Sequence, residues 1–392
     1  MADHPRLFLP GFMSTQLCEE LKFIHKSNCA VGYRPHVLST ILSHLIATNS
    51  SHLILPLVDI REKLKERVEE FFGCEFELFI EFTGLISWSC GSSIGWHSDD
   101  NRPYLKQRHF AAVCYLSNHS EDFKGGLFHF QEGEPATIVP MAGDVLIYTA
   151  DDRNIHCVDE ITEGERLTLT LWFTRDISYD EDAKLLNLFS LNSKDEDTKS
   201  WIPLSAPNNM YWFSPSSLTE HHLGYDIRWA RVHALGFDLY ISNEFEDVAW
   251  EPCDMLDKPL KLGREGKIFG KEFANALHAH QVLEFYRWKG SELQASKSKM
   301  SATHGLERTH LLSDITSYRK LAFPAYFEPK SVFSESFPIN SYCQNMQPFD
   351  WSDFSMAVAL WEDYVHGLRR KLVTSLPQWK LHGSIFNVPL PE

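Results

Sequence analysis

The residues best suited to chemistry in this chain lie in WSCGSSIGWHSD, residues 88–99, where His97 and Asp99 stand two apart. In an extended segment that spacing turns both side chains to one side, so an imidazole and a carboxylate could share a metal ion. With 19 histidines in the chain, about one His-x-Asp pair is expected by chance, and two solvated loop residues are the plainer reading of the pair alone. Two further residues raise it. His156 follows in DDRNIHCVDE, and Arg166 comes ten residues later. Two histidines and one carboxylate fill one face of an octahedral iron and leave the other positions for a bidentate cosubstrate and dioxygen. A zinc hydrolase would want a tetrahedral site, and the HExxH signature is absent.

These residues need a scaffold that brings distant segments together. Residues 14–27 read as an amphipathic helix capped by Ser14, and 56–73 as a second one. In the latter, Leu57, Ile60, Leu64, Val68 and Phe71 recur at three and four residues, with Pro56 at the start and Gly73 at the stop. The pattern then changes to short strands at 75–90, 110–117, 126–131, 136–139, 143–149 and 165–175, separated by Gly, Pro, Asn and Asp. Short strands without intervening helices predict a two-layer antiparallel jelly roll rather than a parallel sheet. In the last strand Arg166, Thr168, Thr170 and Trp172 alternate with Leu167, Leu169 and Leu171, which gives one polar face and one packing face. An inward-facing guanidinium needs a counter-ion, and a carboxylate fits it bidentately.

The polar stretch 177–200 reads as a linker. Beyond it, residues 226–242 hold candidate strands and 270–289 and 353–375 candidate helices. Trp201, Trp212, Trp229, Trp250, Trp351 and Trp379 imply a packed α+β region there. The 392 residues suffice for two domains and are 43% hydrophobic and 23% charged, a globular composition. The 37 Lys and Arg against 53 Asp and Glu leave a net charge of −16, which disfavours nucleic acid and anionic membrane surfaces as partners. The N-terminus lacks a secretion signal, no long apolar run suggests a membrane span, and eight scattered cysteines without a CxxC pair read as reduced thiols. A cytoplasmic or nuclear setting is therefore expected.

Over residues 77–176 the sequence resembles the iron(II) and 2-oxoglutarate dependent dioxygenases, in particular their prolyl hydroxylase branch. Trp88, Gly91, Ile94, His97 and Asp99 match the spacing of that branch's approach to its first ligands, although Trp88 and Ile94 stand where the family usually has tyrosines. AVCYLSN (112–118), the Gly125-Gly126 pair with Phe130, and PMAGDVLIY (140–148) resemble later family segments in the same order. The resemblance implies a double-stranded β-helix over 75–176, preceded by helical support in 1–74 and followed by the linker and an α+β extension over 201–392. It implies that His97, Asp99 and His156 bind Fe(II), and that Arg166 and Tyr115, with Thr170 and Trp172 beside them, hold 2-oxoglutarate. Dioxygen as co-reactant, ascorbate as the reductant that keeps iron reduced, and a prolyl residue of a protein or peptide as substrate are further implications, with residues 100–109 as a loop over that substrate.

Each residue also has a plainer role. His156 could be a core histidine bonded to backbone, Arg166 could be exposed or pair with a buried carboxylate such as Asp144, and Tyr115 could be ordinary strand packing. Gly125 and Gly126 could serve only a turn that wants positive φ. His278, His280, His304 and His310 have no ligand spacing with a carboxylate and read as structural. Two other classes stay open: a non-catalytic jelly-roll module that binds metal or a partner, and a cupin-type metal oxygenase that needs no 2-oxoglutarate.

Overall fold

The computed structural model describes residues 3–28, 30–34, 36–48, 50–192, 211–212, 281, 284–289 and 351–389. They fall into two compact units, Met1–Pro215 with Gly367–Glu392, and Ser216–His366. In chain order the elements are β1 (Arg6–Leu9), α1 (Thr15–Lys26), β2 (Ala30–Arg34), β3 (Val37–Ile41), α2 (Leu42–Ala47), α3 (Leu55–Phe72), β4 (Phe79–Ser89) and β5 (Ile94–His97). There follow β6 (Phe110–Tyr115), β7 (Phe123–Gly125), β8 (Phe128–Phe130), β9 (Thr137–Ile138), β10 (Val145–Thr149), β11 (His156–Val158), β12 (Ile161–Thr174), α4 (Glu181–Asn192), β13 (Tyr211–Trp212) and α5 (Trp351–His382).

The first unit holds two antiparallel sheets. The larger runs β1-β10-β6-β12-β4-β3-β2-β13 with β7 on β12, and the smaller runs β5-β11-β8-β9. Their inner faces enclose one apolar core, in which Ala111, Val113 and Tyr115 of β6, Leu146 and Tyr148 of β10 and Trp172 of β12 meet Phe128, Phe130, Ile138 and Val158 of the smaller sheet. A second cluster, Val37, Ile86, Trp88, Phe123 and Ile161, continues it, and Ile94 packs against both. Burying each large apolar side chain contributes ~1.5–3 kcal/mol, so this interior is the main stabilising term of the sandwich. The expected jelly roll over 75–176 is thus present as two facing antiparallel layers, with additional strands from the N-terminal segment.

The helices form where their caps and faces predict. Ser14 Oγ accepts from Leu17 N at 3.2 Å, and Gly73 ends α3 in the left-handed region at φ 64°. On α3, Leu57, Ile60, Leu64 and Val68 are buried as their spacing requires, whereas Phe71, in the last turn, is exposed. Arg61 is buried on the same face. Its Nε donates to Thr83 Oγ1 at 3.0 Å, and its Nη2 bonds Glu181 Oε2 at 3.1 Å and Asp182 Oδ1 at 2.7 Å.

Two stretches differ from expectation. Within the presumed linker 177–200, residues 181–192 form α4, because Leu185, Leu186 and Phe189 bury one side while Glu181 and Asp182 pair with Arg61. The end of the chain also departs from a single extension over 201–392, since Gly367–Glu392 belongs to the unit that holds the sheets. There the buried Trp379 donates to Phe386 O at 2.6 Å, and Ile385 N donates to Asp182 Oδ2 at 2.8 Å. The anticipated helix 353–375 lies within the longer α5, and residues 281 and 284–289 of the anticipated helix 270–289 are helical. In the second unit, Phe285, Trp288 and Tyr364 form an aromatic cluster with centroids 5.5–5.9 Å apart. The candidate strands at 226–242, together with Trp201, Trp229 and Trp250 and His278, His280, His304 and His310, lie outside the described residues. Among the described residues no helix is long and apolar enough to cross a membrane.

Candidate metal and cosubstrate site

The smaller sheet brings two histidines together. β5 ends at His97, β11 begins at His156, and the two residues face each other in the antiparallel register. Their ring centroids lie 4.3 Å apart. Asp99, two residues past the end of β5, places Oδ1 3.9 Å from Nε2 of each histidine. One ligand atom from each of the three residues lies within 4.8 Å of the others.

The rings are oriented from behind. Nδ1 of His97 lies 2.8 Å from Gly95 O, and Nδ1 of His156 lies 2.9 Å from Asn154 O. A carbonyl oxygen only accepts, so each Nδ1 carries the proton and each Nε2 offers a lone pair toward Asp99. Phe128 stacks on the His156 ring at 4.8 Å and 12°. Burial, only partly offset by Asp99, lowers the His156 pKa to about 4, which keeps this ring neutral and able to bind a cation.

The larger sheet supplies the second half of the site. In the pairing of β12 with β4 and β6, Arg166 lies opposite Trp88, Thr168 opposite Tyr115, Thr170 opposite Val113 and Trp172 opposite Ala111. Because directly paired residues share a face, Arg166, Thr168, Thr170 and Trp172 all turn inward with Tyr115, as their alternation predicts. The Arg166 guanidinium carbon lies 5.3 Å from the Tyr115 ring centroid and 5.7 Å from that of Trp88. Arg166 is 2% exposed and has no ion pair with a carboxylate among the described residues. Asp144, the alternative partner, instead accepts from Gly11 N at 2.8 Å. Arg166 Nε, Tyr115 Oη and Trp172 Nε1 are all buried without a hydrogen-bond partner among the described residues.

Gly126, with φ 63°, has a use beyond the turn. A Cβ there would overlap Ile161 Cδ1 and come within 3.3 Å of Arg166 Cδ, so its bare backbone leaves the path of the arginine stem open. Two residues were not singled out as functional from sequence. Tyr148, read only as part of the PMAGDVLIY segment, donates to Asp99 Oδ2 at 3.0 Å. Arg108 stacks its guanidinium 3.7 Å from the Trp172 centroid and bonds Glu81 at 3.3 Å, which fixes the end of the 100–109 loop beside the site. The inward parity of Tyr148 with Leu146 could have found the first; nothing local marks the second.

The sequence model of the 2OG-Fe(II) oxygenase superfamily matches residues 83–174. Among curated proteins, 2-oxoglutarate and iron-dependent oxygenase domain-containing protein 3 of Rattus norvegicus is 30% identical over 124 residues, 30% of this chain and 39% of that protein. Prolyl 3-hydroxylase 1 of Gallus gallus is 25% identical over 227 residues, 46% of this chain and 30% of that protein. Each alignment thus spans less than two fifths of the relative's length. Among solved structures, the viral collagen prolyl hydroxylase of Paramecium Bursaria Chlorella virus-1 aligns over 43% of this chain and 95% of its own, at 17% identity and a TM-score of 0.35. Residues 83–174 are thus similar to the 2OG-Fe(II) oxygenase superfamily, and a prolyl hydroxylase is among the proteins this chain resembles.

The residues present fit the groups that family uses. His97, Asp99 and His156 are the donor set of a facial triad, which leaves a metal with open positions. The buried Arg166, together with the unpartnered Tyr115 hydroxyl, supplies the charge and donors that a distal carboxylate of 2-oxoglutarate requires.

Proposed function

We propose that this chain is an Fe(II)- and 2-oxoglutarate-dependent dioxygenase that hydroxylates a prolyl residue of a protein or peptide. The observation that carries the reading is the buried Arg166, inward-facing and without a carboxylate partner among the described residues, in the same interior as the triad. A buried guanidinium costs several kcal/mol to desolvate, and a site that keeps one unpaired is built for an anionic ligand. Bound there, Fe(II) and 2-oxoglutarate with dioxygen supply the oxidation that puts one oxygen atom into a substrate C–H bond and yields succinate and carbon dioxide.

The chain's own part is to hold and orient. His97, Asp99 and His156 would hold the cation, with the Nδ1 protons of the two histidines committed to the Gly95 and Asn154 carbonyls. Arg166 and the Tyr115 hydroxyl anchor the cosubstrate's far carboxylate, while Trp88, Trp172, Phe128 and Phe130 exclude water from the reacting region. The exposed Tyr104 and Trp96 stand near the ligands in sequence, and the 100–109 segment is the substrate loop of this reading. Ascorbate as reductant and a cytoplasmic or nuclear setting belong to the same proposal.

The test is mass analysis of proline-containing peptides after incubation with protein, Fe(II), 2-oxoglutarate and ascorbate, with Asp99→Ala as control. Gain of one oxygen atom at proline with the wild type alone is expected. Oxygen gained on another residue type would overturn the prolyl assignment and leave the dioxygenase standing.

A further inference from the structure

Tyr148 touches two members of the triad. Its hydroxyl lies 3.0 Å from Asp99 Oδ2 and 3.4 Å from His156 Nε2. A phenol has one proton to give, and the shorter contact is to an oxygen that can only accept. Nε2 of His156 has no proton to return, because the Nδ1 proton is held by Asn154 O at 2.9 Å. The phenol proton therefore belongs to Oδ2, and the imidazole lone pair stays free.

This separates the two carboxylate oxygens. Oδ2 is tied to the phenol, whereas Oδ1 is the atom 3.9 Å from both imidazole Nε2 atoms. The phenol is itself held in place. Tyr148 is paired with Ala111 across the sheet, which leaves room for its ring, and that ring meets Phe128 at 5.9 Å and Phe130 edge-on at 5.6 Å.

We propose that Tyr148 is a positioning residue that makes Asp99 a one-oxygen ligand, by occupying Oδ2 so that only Oδ1 meets the metal and the remaining positions stay open for cosubstrate. The inference rests on the triad holding a divalent metal. An acidic ligand whose second oxygen were free could chelate with both and take up a position that the cosubstrate needs. A hydrogen bond to the outer oxygen prevents this and sets the angle at which the carboxylate enters the site.

The experiment is Co(II) titration of the metal-free 392-residue chain, followed by visible absorption, for wild type, Tyr148→Phe, Leu146→Val and His97→Ala. Tyr148→Phe keeps the ring and its packing and deletes only the hydroxyl. It is expected to bind Co(II) ~10–100-fold more weakly, with an altered ligand-field spectrum and weaker 2-oxoglutarate binding to the Co(II) form. Leu146→Val, on the same strand and face, should lower the thermal midpoint while leaving Co(II) affinity and spectrum unchanged. Wild-type affinity and spectrum in Tyr148→Phe, or an equal loss of affinity in Leu146→Val, would overturn the positioning role. Failure of the wild type to bind Co(II), or undiminished binding in His97→Ala, would instead remove the triad reading, and the role of Tyr148 with it.

Discussion

Arg166 and Tyr115 meet on the inner face of the larger sheet, guanidinium carbon 5.3 Å from ring centroid, and both are buried with polar atoms that have no hydrogen-bond partner among the described residues. Burial lowers the Arg166 pKa and raises that of Tyr115 to about 12, the latter eased by the neighbouring cation. A buried guanidinium with no carboxylate beside it among the described residues costs stability, which an anionic ligand would restore.

Arg166→Met should therefore separate stability from binding. Removing an uncompensated buried charge in favour of an apolar stem is expected to stabilise the ligand-free protein by ~1–4 kcal/mol. The same change should weaken 2-oxoglutarate binding by ~2–5 kcal/mol, at least ~30-fold, with metal affinity retained. Thermal unfolding with and without 2-oxoglutarate and Mn(II) reads both effects. A variant that is less stable than wild type, yet still protected by 2-oxoglutarate, would contradict the anchor assignment.

Gly126→Ala tests the path of the arginine stem. The substitution puts a side chain at φ 63° and against Ile161 and Arg166, so it is expected to destabilise by more than ~1 kcal/mol and to weaken 2-oxoglutarate binding. Urea unfolding and cosubstrate titration on the same sample should show both losses. Loss of stability with unchanged cosubstrate affinity would confine Gly126 to the turn.

Arg61 carries a large expected mutational cost outside the site. Arg61→Ala leaves Glu181 and Asp182 buried without their cation, and breaking one side of such a network costs ~3–5 kcal/mol. Because Asp182 also accepts from Ile385 N, the loss should loosen the C-terminal segment as well. Urea midpoints and hydrogen exchange at residues 383–389 would show it; a cost below about 1 kcal/mol would mean that water replaces the pair.

Three buried histidines set a pH dependence. Burial lowers the pKa of His25 to about 4, of His44 to about 4 and of His52 to about 3, the last helped by Arg369. Against an unfolded value of ~6.5, the native state binds fewer protons than the unfolded chain, so their stabilising contribution is complete above that pH. It is expected to drain away as pH falls from ~6.5 toward 4 and to level off below the folded values. Urea unfolding at stepped pH should show this decline, and His52→Leu should make it shallower. Equal slopes in the two proteins would show that His52 binds protons alike in the native and unfolded chains, against the burial argument.

The parts legible in the sequence are those whose pattern is local. Ser14 and Gly73 mark helix ends by cap chemistry, and the alternation from Arg166 to Trp172 assigns an inward face that the strand register bears out. The elements that escaped are too short to show a period: β5 and β11, which carry His97 and His156, have 4 and 3 residues. Their partnership is set by antiparallel pairing across 59 positions, and only the ordered resemblance to a family connected them in advance. α4 was hidden by its polar flanks, and its buried acidic turn makes sense only beside Arg61. The hydrogen bond from Tyr148 to Asp99 likewise depends on two sheets closing over one core, which no local window contains.

The most direct measurement is Fe(II)-dependent conversion of 2-oxoglutarate to succinate by the purified chain without added prime substrate, together with metal-dependent binding of 2-oxoglutarate in the same samples. Wild-type turnover, or binding where a prime substrate is needed for turnover, is expected, and both should be lost in His97→Ala while its far-ultraviolet circular dichroism stays native. Neither turnover nor metal-dependent binding in the wild type would contradict the dioxygenase assignment and favour a jelly roll that serves as a binding module.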